Sequence, residues 1–367
     1  MRHNTPRLAT ALLAILSLAA YADAQAPRGD ADATPATSKS LLKQDATTPN
    51  SQGWSLKFTL SGHEGAVYSA AFFPDGTKLI TAGDDGVARL WNLRTGTLLG
   101  TLAASDETVT GVTVSFDGRF IATCADDDNA PVVKIWDART LRLIRTLKGH
   151  SEGLYELAFS PRGYLLASGG RDKTIMLWNA ATGRLLSTLE GHTDSVTSLA
   201  FTNDGARLAS ASAADDKTVR LWDVRTRKLL RTFAGHDDWV TSVAFSPGGN
   251  VLASASRDKN IILWDATTGA KRLTLPQPNL VYELAFSPDG TTLAEVGARH
   301  EVLLHDATTG DLLGMLEGYT GEISEVKFSS DGMLLVATSY DATVKVWQQR
   351  RTKPETNGRV PRGRRRR

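Results

Sequence analysis

Cysteine is almost missing from this chain of 367 residues, in which Cys124 stands alone. A single thiol closes no intramolecular disulfide, so thiol chemistry does not hold the fold together. Downstream of the N-terminus no segment reaches about 18 consecutive apolar residues, so no bilayer-spanning helix is expected and the mature chain is expected to be soluble. The sequence also lacks a phosphate loop, metal-ligand spacing and a nucleophile elbow, so no cofactor, metal or covalent chemistry is indicated. The body lacks basic charge as well. The net charge of +2 hides a segment from Arg350 to Arg367 with eight Arg, one Lys and one Glu, which leaves the remainder mildly acidic. A nucleic-acid-binding domain carries its basic charge on the folded surface, so nucleic acid is not an expected partner.

What is present is ordinary globular material, 41% hydrophobic and 22% charged, with a marked order along the chain. Arg2 and Arg7 precede an apolar run from Leu8 to Ala20, and Ala22-Asp23-Ala24 follows as a small-x-small cleavage pattern. Residues 1–24 are therefore expected to be an export signal, which makes the mature protein periplasmic or secreted. Residues 25–52 turn to Ala, Asp, Thr, Ser and Pro without apolar periodicity and read as a flexible linker. Residues 350–367 read as a disordered basic tail that could hold an anionic surface such as acidic lipid or polymer.

Between these segments one unit recurs. From Gly149 to Asn179 it runs Gly-His, an alternating stretch Leu154 to Phe159, a Pro161-Arg162-Gly163 turn, Leu165 to Ser168, Asp172, and Ile175 to Asn179. That is three short strands joined by turns. The closing Trp-Asp-like dipeptide falls at Trp91, Trp136, Trp178, Trp222, Trp264, His305 and Trp347, at spacings of 45, 42, 44, 42, 41 and 42. Turns such as Pro74-Asp75-Gly76 and Pro288-Asp289-Gly290 follow the first strand of each unit. Proline presets the first bend and glycine accepts positive φ.

Seven registered units of about 43 residues resemble the WD-repeat β-propeller family over Trp54 to Trp347. The resemblance implies an all-β, seven-bladed propeller of four-stranded antiparallel sheets, occupying residues 53–349. After Trp347 no further strand follows, while the alternating run 54–60 precedes the first full unit. Strand 54–60 is therefore expected to pair with the last blade and close the ring, removing two open edges at once. The resemblance further implies a hydrogen-bonded chain in each blade from Trp through a hydroxyl and His to Asp. The sets are Trp91, Thr81, His63, Asp85; Trp178, Ser168, His150, Asp172; Trp222, Ser210, His192, Asp216; and Trp264, Ser254, His236, Asp258. Ser, His and Asp together suggest a hydrolase triad, but recurrence with a Trp attached favours architecture.

Two repeats depart from the pattern. The second has Ala104-Ser105 in place of Gly-His and an acidic loop, Asp126-Asp127-Asp128-Asn129, which reads as solvated before it reads as a cation site. The sixth has Gln277-Pro278, Glu295, Arg299 and His305 at the network positions, either an ionic replacement or a weak blade.

Recognition is expected where repeats differ at one rim. Four residues before the Phe-type anchor of the first strand stand Tyr68, Thr110, Tyr155, Thr197, Thr241, Tyr282 and Ser324. Trp239 lies two residues earlier in its repeat, and Arg171, Arg257 and Tyr340 precede the turn Asp. Tyr68, Tyr155, Arg171, Trp239, Arg257, Tyr282 and Tyr340 have the composition of an interface hot spot, although Tyr also cap cores with their hydroxyls in water. The expectation is a non-enzymatic, monomeric scaffold for a protein or peptide partner. The competing reading is an enzyme or small-ligand or cation binder with a polar site in the central channel. Glu156, Glu283 and Glu325 share one register there, and Glu283, Glu325, His300 and His305 are its candidate cluster.

Overall fold

The computed structural model describes residues 53–350. The expected signal (1–24), the linker (25–52) and the tail beyond Arg350 lie outside the described residues. The described chain forms 28 strands in seven four-stranded antiparallel sheets. Blade 1 contains β2 (Val67–Phe72), β3 (Lys78–Gly83), β4 (Val87–Asn92) and β5 (Thr97–Ala103), from the channel outward. Blades 2 to 6 repeat this order. Their inner strands are β6 (Val109–Val114), β10 (Leu154–Phe159), β14 (Val196–Phe201), β18 (Val240–Phe245) and β22 (Val281–Phe286).

Blade 7 is built from both ends of the repeat region. β26 (Ile323–Phe328), β27 (Leu334–Ser339) and β28 (Val344–Gln349) supply three strands, and β1 (Trp54–Leu60) pairs antiparallel with β28. The register runs from Trp54 opposite Gln349 to Leu60 opposite Val344, with a bulge between Leu56 and Phe58. The ring thus closes through strand 54–60, as the sequence predicts.

Each blade is apolar on both faces and buries them against its two neighbours rather than in a central core. One cluster joins blades 7 and 1 through Leu60, Val67, Leu79, Trp91, Val336 and Val344. Another joins blades 3 and 4 through Ala167, Ile175, Leu177, Val196, Leu208 and Trp222. The turn after each inner strand keeps the unit short. At Pro74-Asp75-Gly76 the Gly76 amide donates to Phe73 O at 2.9 Å with φ +66°, which an L side chain rarely adopts.

In four blades a buried polar chain ties the second and third strands to the loop before the inner strand. In blade 3, Trp178 Nε1 donates to Ser168 Oγ at 2.8 Å, Ser168 Oγ lies 2.7 Å from His150 Nε2, and His150 Nδ1 lies 2.7 Å from Asp172 Oδ2. Indole only donates and carboxylate only accepts, so the neutral imidazole carries its proton on Nδ1 and takes the hydroxyl proton at Nε2. The same connections join Trp91, Thr81, His63 and Asp85, Trp222, Ser210, His192 and Asp216, and Trp264, Ser254, His236 and Asp258. The Asp carboxylate also receives the amide after the histidine, as in Ser151 N to Asp172 at 3.1 Å. Burial holds His63 and His192 below the usual imidazole range, so both stay neutral at pH 7. Ser168 is 0% exposed and its oxygen also accepts the Trp178 indole N–H, so no substrate reaches this hydroxyl in the folded blade.

Deleting residues 54–60 leaves β28 as an open edge and blade 7 with three strands. The expected outcome is loss of the cooperative melting transition of the whole ring. A scanning-calorimetry trace superimposable on wild type would show that closure does not depend on β1. Trp178→Ala is expected to cost about 3–5 kcal/mol, measured by urea unfolding.

Candidate functional site

The inner strands position the site. The seven residues four before the anchor, Tyr68, Thr110, Tyr155, Thr197, Thr241, Tyr282 and Ser324, all line one opening of about 200 Å³ at the mouth of the central channel. At four of these positions a hydroxyl locks its blade to the next. Thr110 Oγ1 donates to Leu154 O at 2.7 Å, Thr197 Oγ1 to Val240 O at 2.5 Å, Thr241 Oγ1 to Val281 O at 2.8 Å, and Ser324 Oγ to Val67 O. Tyr68, Tyr155 and Tyr282 cannot repeat this short bond. Their rings extend half-buried into the opening instead.

Trp239, Arg257 and Tyr340 join them in the wall, with Ser69, Glu156, Glu283 and Glu325. Tyr340 packs edge-on against Tyr68 and Tyr282 at centroid distances of 5.5 and 6.5 Å. Tyr282 donates its hydroxyl to Glu322 Oε2 at 2.8 Å. The Arg257 guanidinium stacks on Trp239, 3.6 Å from the ring centroid. Burial raises Tyr68 and Tyr282 above the usual phenol range, so their hydroxyls stay protonated at neutral pH.

Six of the seven rim residues chosen from sequence line this opening; Arg171 does not. Its guanidinium is held beside the wall by Tyr155 Oη at 2.9 Å, Asp128 Oδ2 at 2.9 Å and Asp126 Oδ1 at 3.3 Å. The acidic loop of blade 2 is thus neither merely solvated nor an arranged cation cage. Asp126 and Asp128 are counter-ions of Arg171, a pairing across blades that sequence spacing does not reveal.

Below the mouth lies a charged waist. A second stretch of channel, about 380 Å³, shares Glu156 and Glu325 with the mouth and adds Lys327. Lys327 Nζ lies 2.7 Å from Glu283 Oε1 and 3.1 Å from Glu325 Oε1. Glu325 also accepts the Ala70 amide across the blade 7 to blade 1 joint. Burial, partly offset by Lys327, pushes Glu325 up to about 7 and raises Glu156 well above the usual carboxylate range. Lys327 is opposed by burial, but Glu283, Glu325 and Glu156 outweigh this and keep it protonated. Sequence reading missed Lys327; its signal was a Lys where the other repeats carry Ala or Thr before the anchor.

The competing channel cluster of Glu283, Glu325, His300 and His305 does not form. β24 (Val302–Asp306) is the third strand of blade 6, so His305 is buried within the blade, while His300 is exposed in the preceding loop. His305 Nδ1 donates to Gly310 O at 3.2 Å, and its Nε2 lies 3.6 Å from Glu295 Oε2. Arg299 is not part of that pair. The seventh blade replaces histidine by Tyr319, whose hydroxyl accepts Trp347 Nε1–H at 3.2 Å; Gly318-Tyr319 in the Gly-His register was the overlooked sign.

Seven radially packed four-stranded blades, with a Trp-to-hydroxyl bond inside six of them and a variable channel mouth, define a WD-type propeller. The "WD domain, G-beta repeat" family matches residues 54–92, 96–137, 141–179, 183–223, 227–265 and 310–348, more than half of the chain, and the chain belongs to that family. The matches leave out 266–309, the divergent sixth repeat. The chain is 30% identical over 161 residues to "WD repeat-containing protein AAC3" of Dictyostelium discoideum, covering 32% of this chain and 34% of that one. It is 34% identical over 170 residues to "Nuclear distribution protein PAC1" of Arthroderma benhamiae, covering 40% and 35%. It is 34% identical over 117 residues to "Pre-mRNA-processing factor 19" of Oryza sativa subsp. japonica, covering 31% and 21%. The matched region thus spans about a third or less of each relative.

Lys327→Met removes the cation among three carboxylates. Glu325 and Glu156, both raised, are protonated at pH 5 and do not repel one another, so the variant is expected to lie nearest to wild type there. It should fall below wild type as pH rises past about 7, because wild-type Glu325 ionises there beside Lys327 whereas the variant offers that charge no cation. Thermal melts at pH 5 and pH 8 check this; an equal deficit at both would assign Lys327 a packing role only.

Proposed function

We propose that this chain is a non-catalytic, monomeric interaction module that receives a protein or peptide partner at its channel mouth. The observation that carries the reading is convergence. Tyr68, Tyr155, Trp239, Arg257, Tyr282 and Tyr340 come from blades 1, 3, 5, 6 and 7 and meet around one opening. Blade architecture does not require them there, since Thr110, Thr197, Thr241 and Ser324 show what interblade bonding asks of the same register. Half-buried aromatic rings with polar edges, beside Arg, offer large rigid contact area and little ordering entropy to lose. The acidic waist does not favour a free-cation site, because Lys327 already pairs with Glu283 and Glu325.

The pattern in residues 1–24 supports export, so the partner would be met in the periplasm or outside the cell. The Arg-rich tail supports a second, salt-sensitive hold on an anionic surface. The test of the mouth uses a random peptide library displayed on phage and panned against the full chain. Wild type is expected to enrich peptides that a variant with Tyr68, Tyr155, Trp239 and Tyr282 all changed to Ala does not, while the variant's Tm stays within about 5 °C of wild type. Failure to enrich any peptide, or equal enrichment by a folded variant, would refute the reading. Unfolding of the variant would assign these side chains to the core.

A further inference from the structure

Arg171 and Arg257 occupy the same position in blades 3 and 5, each one residue before the network Asp. Their surroundings differ. Arg171 is neutralised by Asp126 and Asp128 and bonded to Tyr155 Oη. Blade 4, the corresponding neighbour of blade 5, provides no such pair. Among the described residues no carboxylate forms an ion pair with Arg257 and no acceptor takes a hydrogen bond from its guanidinium. Its Nε is closed off from solvent without a partner.

The group is nevertheless held firmly. Stacking on Trp239 fixes the guanidinium plane but engages its face, and leaves the in-plane N–H donors unused. Burial pulls Arg257 below its ordinary range, to about 10, and Asp238 is the leading charge that opposes this. Arg257 therefore remains a cation at neutral pH, partly desolvated and without a counter-ion, in the wall of the opening. Glu156, Glu283 and Glu325 line the same opening, and Lys327 pairs with Glu283 and Glu325.

We propose that the channel mouth captures its partner by a carboxylate, an Asp or Glu side chain of a peptide seated on the Arg257 fork. This rests on the reading of the mouth as a peptide site and supplies the chemistry of its anchor. A carboxylate matches the planar fork with two parallel N–H···O bonds and supplies the counter-charge that the protein withholds. The surrounding rings of Tyr155, Trp239, Tyr282 and Tyr340 exclude water around that pair, which strengthens it. A cationic side chain seated at the fork would be repelled by Arg257, while Lys327 already answers Glu283 and Glu325, so charge complementarity selects against it.

The test reads the sequences that the full chain selects from the phage library. Peptides selected by wild type are expected to share one Asp or Glu position. Arg257→Gln, with Tm measured alongside, is expected to lose that acidic preference. Arg257→Lys is expected to keep it at lower affinity, since it retains charge but not the fork. A synthetic selected peptide with the acid changed to its amide should bind wild type at least about tenfold more weakly. Selected peptides without a common acidic position, an amide peptide that binds equally well, or a folded Arg257→Gln variant with unchanged preference would each overturn the proposal. A phosphoserine replacement that binds more tightly than the carboxylate would reassign the anchor to phosphate and overturn it in its stated form. If Arg257→Gln does not fold, the amide peptide on wild type decides. Failure to select any peptide would reject the peptide-site reading itself, an outcome separate from these.

Discussion

Everything in this molecule depends on the antiparallel pairing of β1 with β28. A four-stranded sheet has two apolar faces and cannot cover both by itself, so each blade borrows a neighbour on either side. An open stack would leave two blade faces in water. Closing the stack into a ring leaves none, but the ring stays shut only if something joins its ends. β1 does so covalently: the strand that leads into blade 1 is the outer strand of blade 7. The cluster holding Leu60, Val67 and Leu79 against Val336 and Val344 then packs like any other interblade joint.

Closure has a consequence for the inner strands. Seven of them face a common channel, and at one register a small hydroxyl can reach the carbonyl that opens the next inner strand. Four blades use that bond, and three place a tyrosine there. A ring closed by its faces and by β1 tolerates the absence of three such locks. The positions released from bonding become the lining of the mouth. The same surplus explains blade 6, which has no Trp-to-hydroxyl bond, carries the Glu295 and His305 pair instead, and falls outside the family matches. Its faces still pack on blade 5 through Val281, Leu284 and Leu293, and on blade 7 through Val302, Leu304 and Leu316. A blade whose internal network is lost is held by its neighbours.

The fold was legible because its signals are periodic. Trp spacing, turn chemistry and the unmatched strand 54–60 each repeat or complete a pattern, and together they specify seven blades and their closure. The mouth was partly legible for the same reason: residues in one register of equivalent strands must meet around the axis, so Tyr68, Tyr155 and Tyr282 could be grouped without coordinates. What was not legible is what passes between blades. Asp126 and Asp128 reach Arg171 across 45 and 43 positions of chain, and no local rule predicts that pairing. Lys327 likewise interrupts a row of Ala and Thr and acquires meaning only when Glu283 on the neighbouring blade is seen beside it. The supposed channel histidines failed for a complementary reason. His305 belongs to the same repeat as Glu283 but lies on a third strand, and distance from the axis is set by strand order within the blade.

The contrast between Arg171 and Arg257 shows how a repeat produces a site without new architecture. Both arginines leave equivalent turns, so the backbone aims them alike. Whether each is structural or available is decided by whether the acidic loop of the preceding blade pairs with it, as Asp126 and Asp128 do with Arg171. A paired guanidinium at a rim is satisfied and contributes mainly packing. An unpaired one, partly removed from water, has already lost part of its hydration before any ligand arrives, so a carboxylate that reaches it pays less of that desolvation on binding. The tyrosines and Trp239 act in the same direction by narrowing solvent access around the fork. On this argument the ability of the mouth to discriminate between partners resides less in its aromatic area, which any extended peptide could cover, than in the Arg257 guanidinium, which has no counter-ion among the described residues.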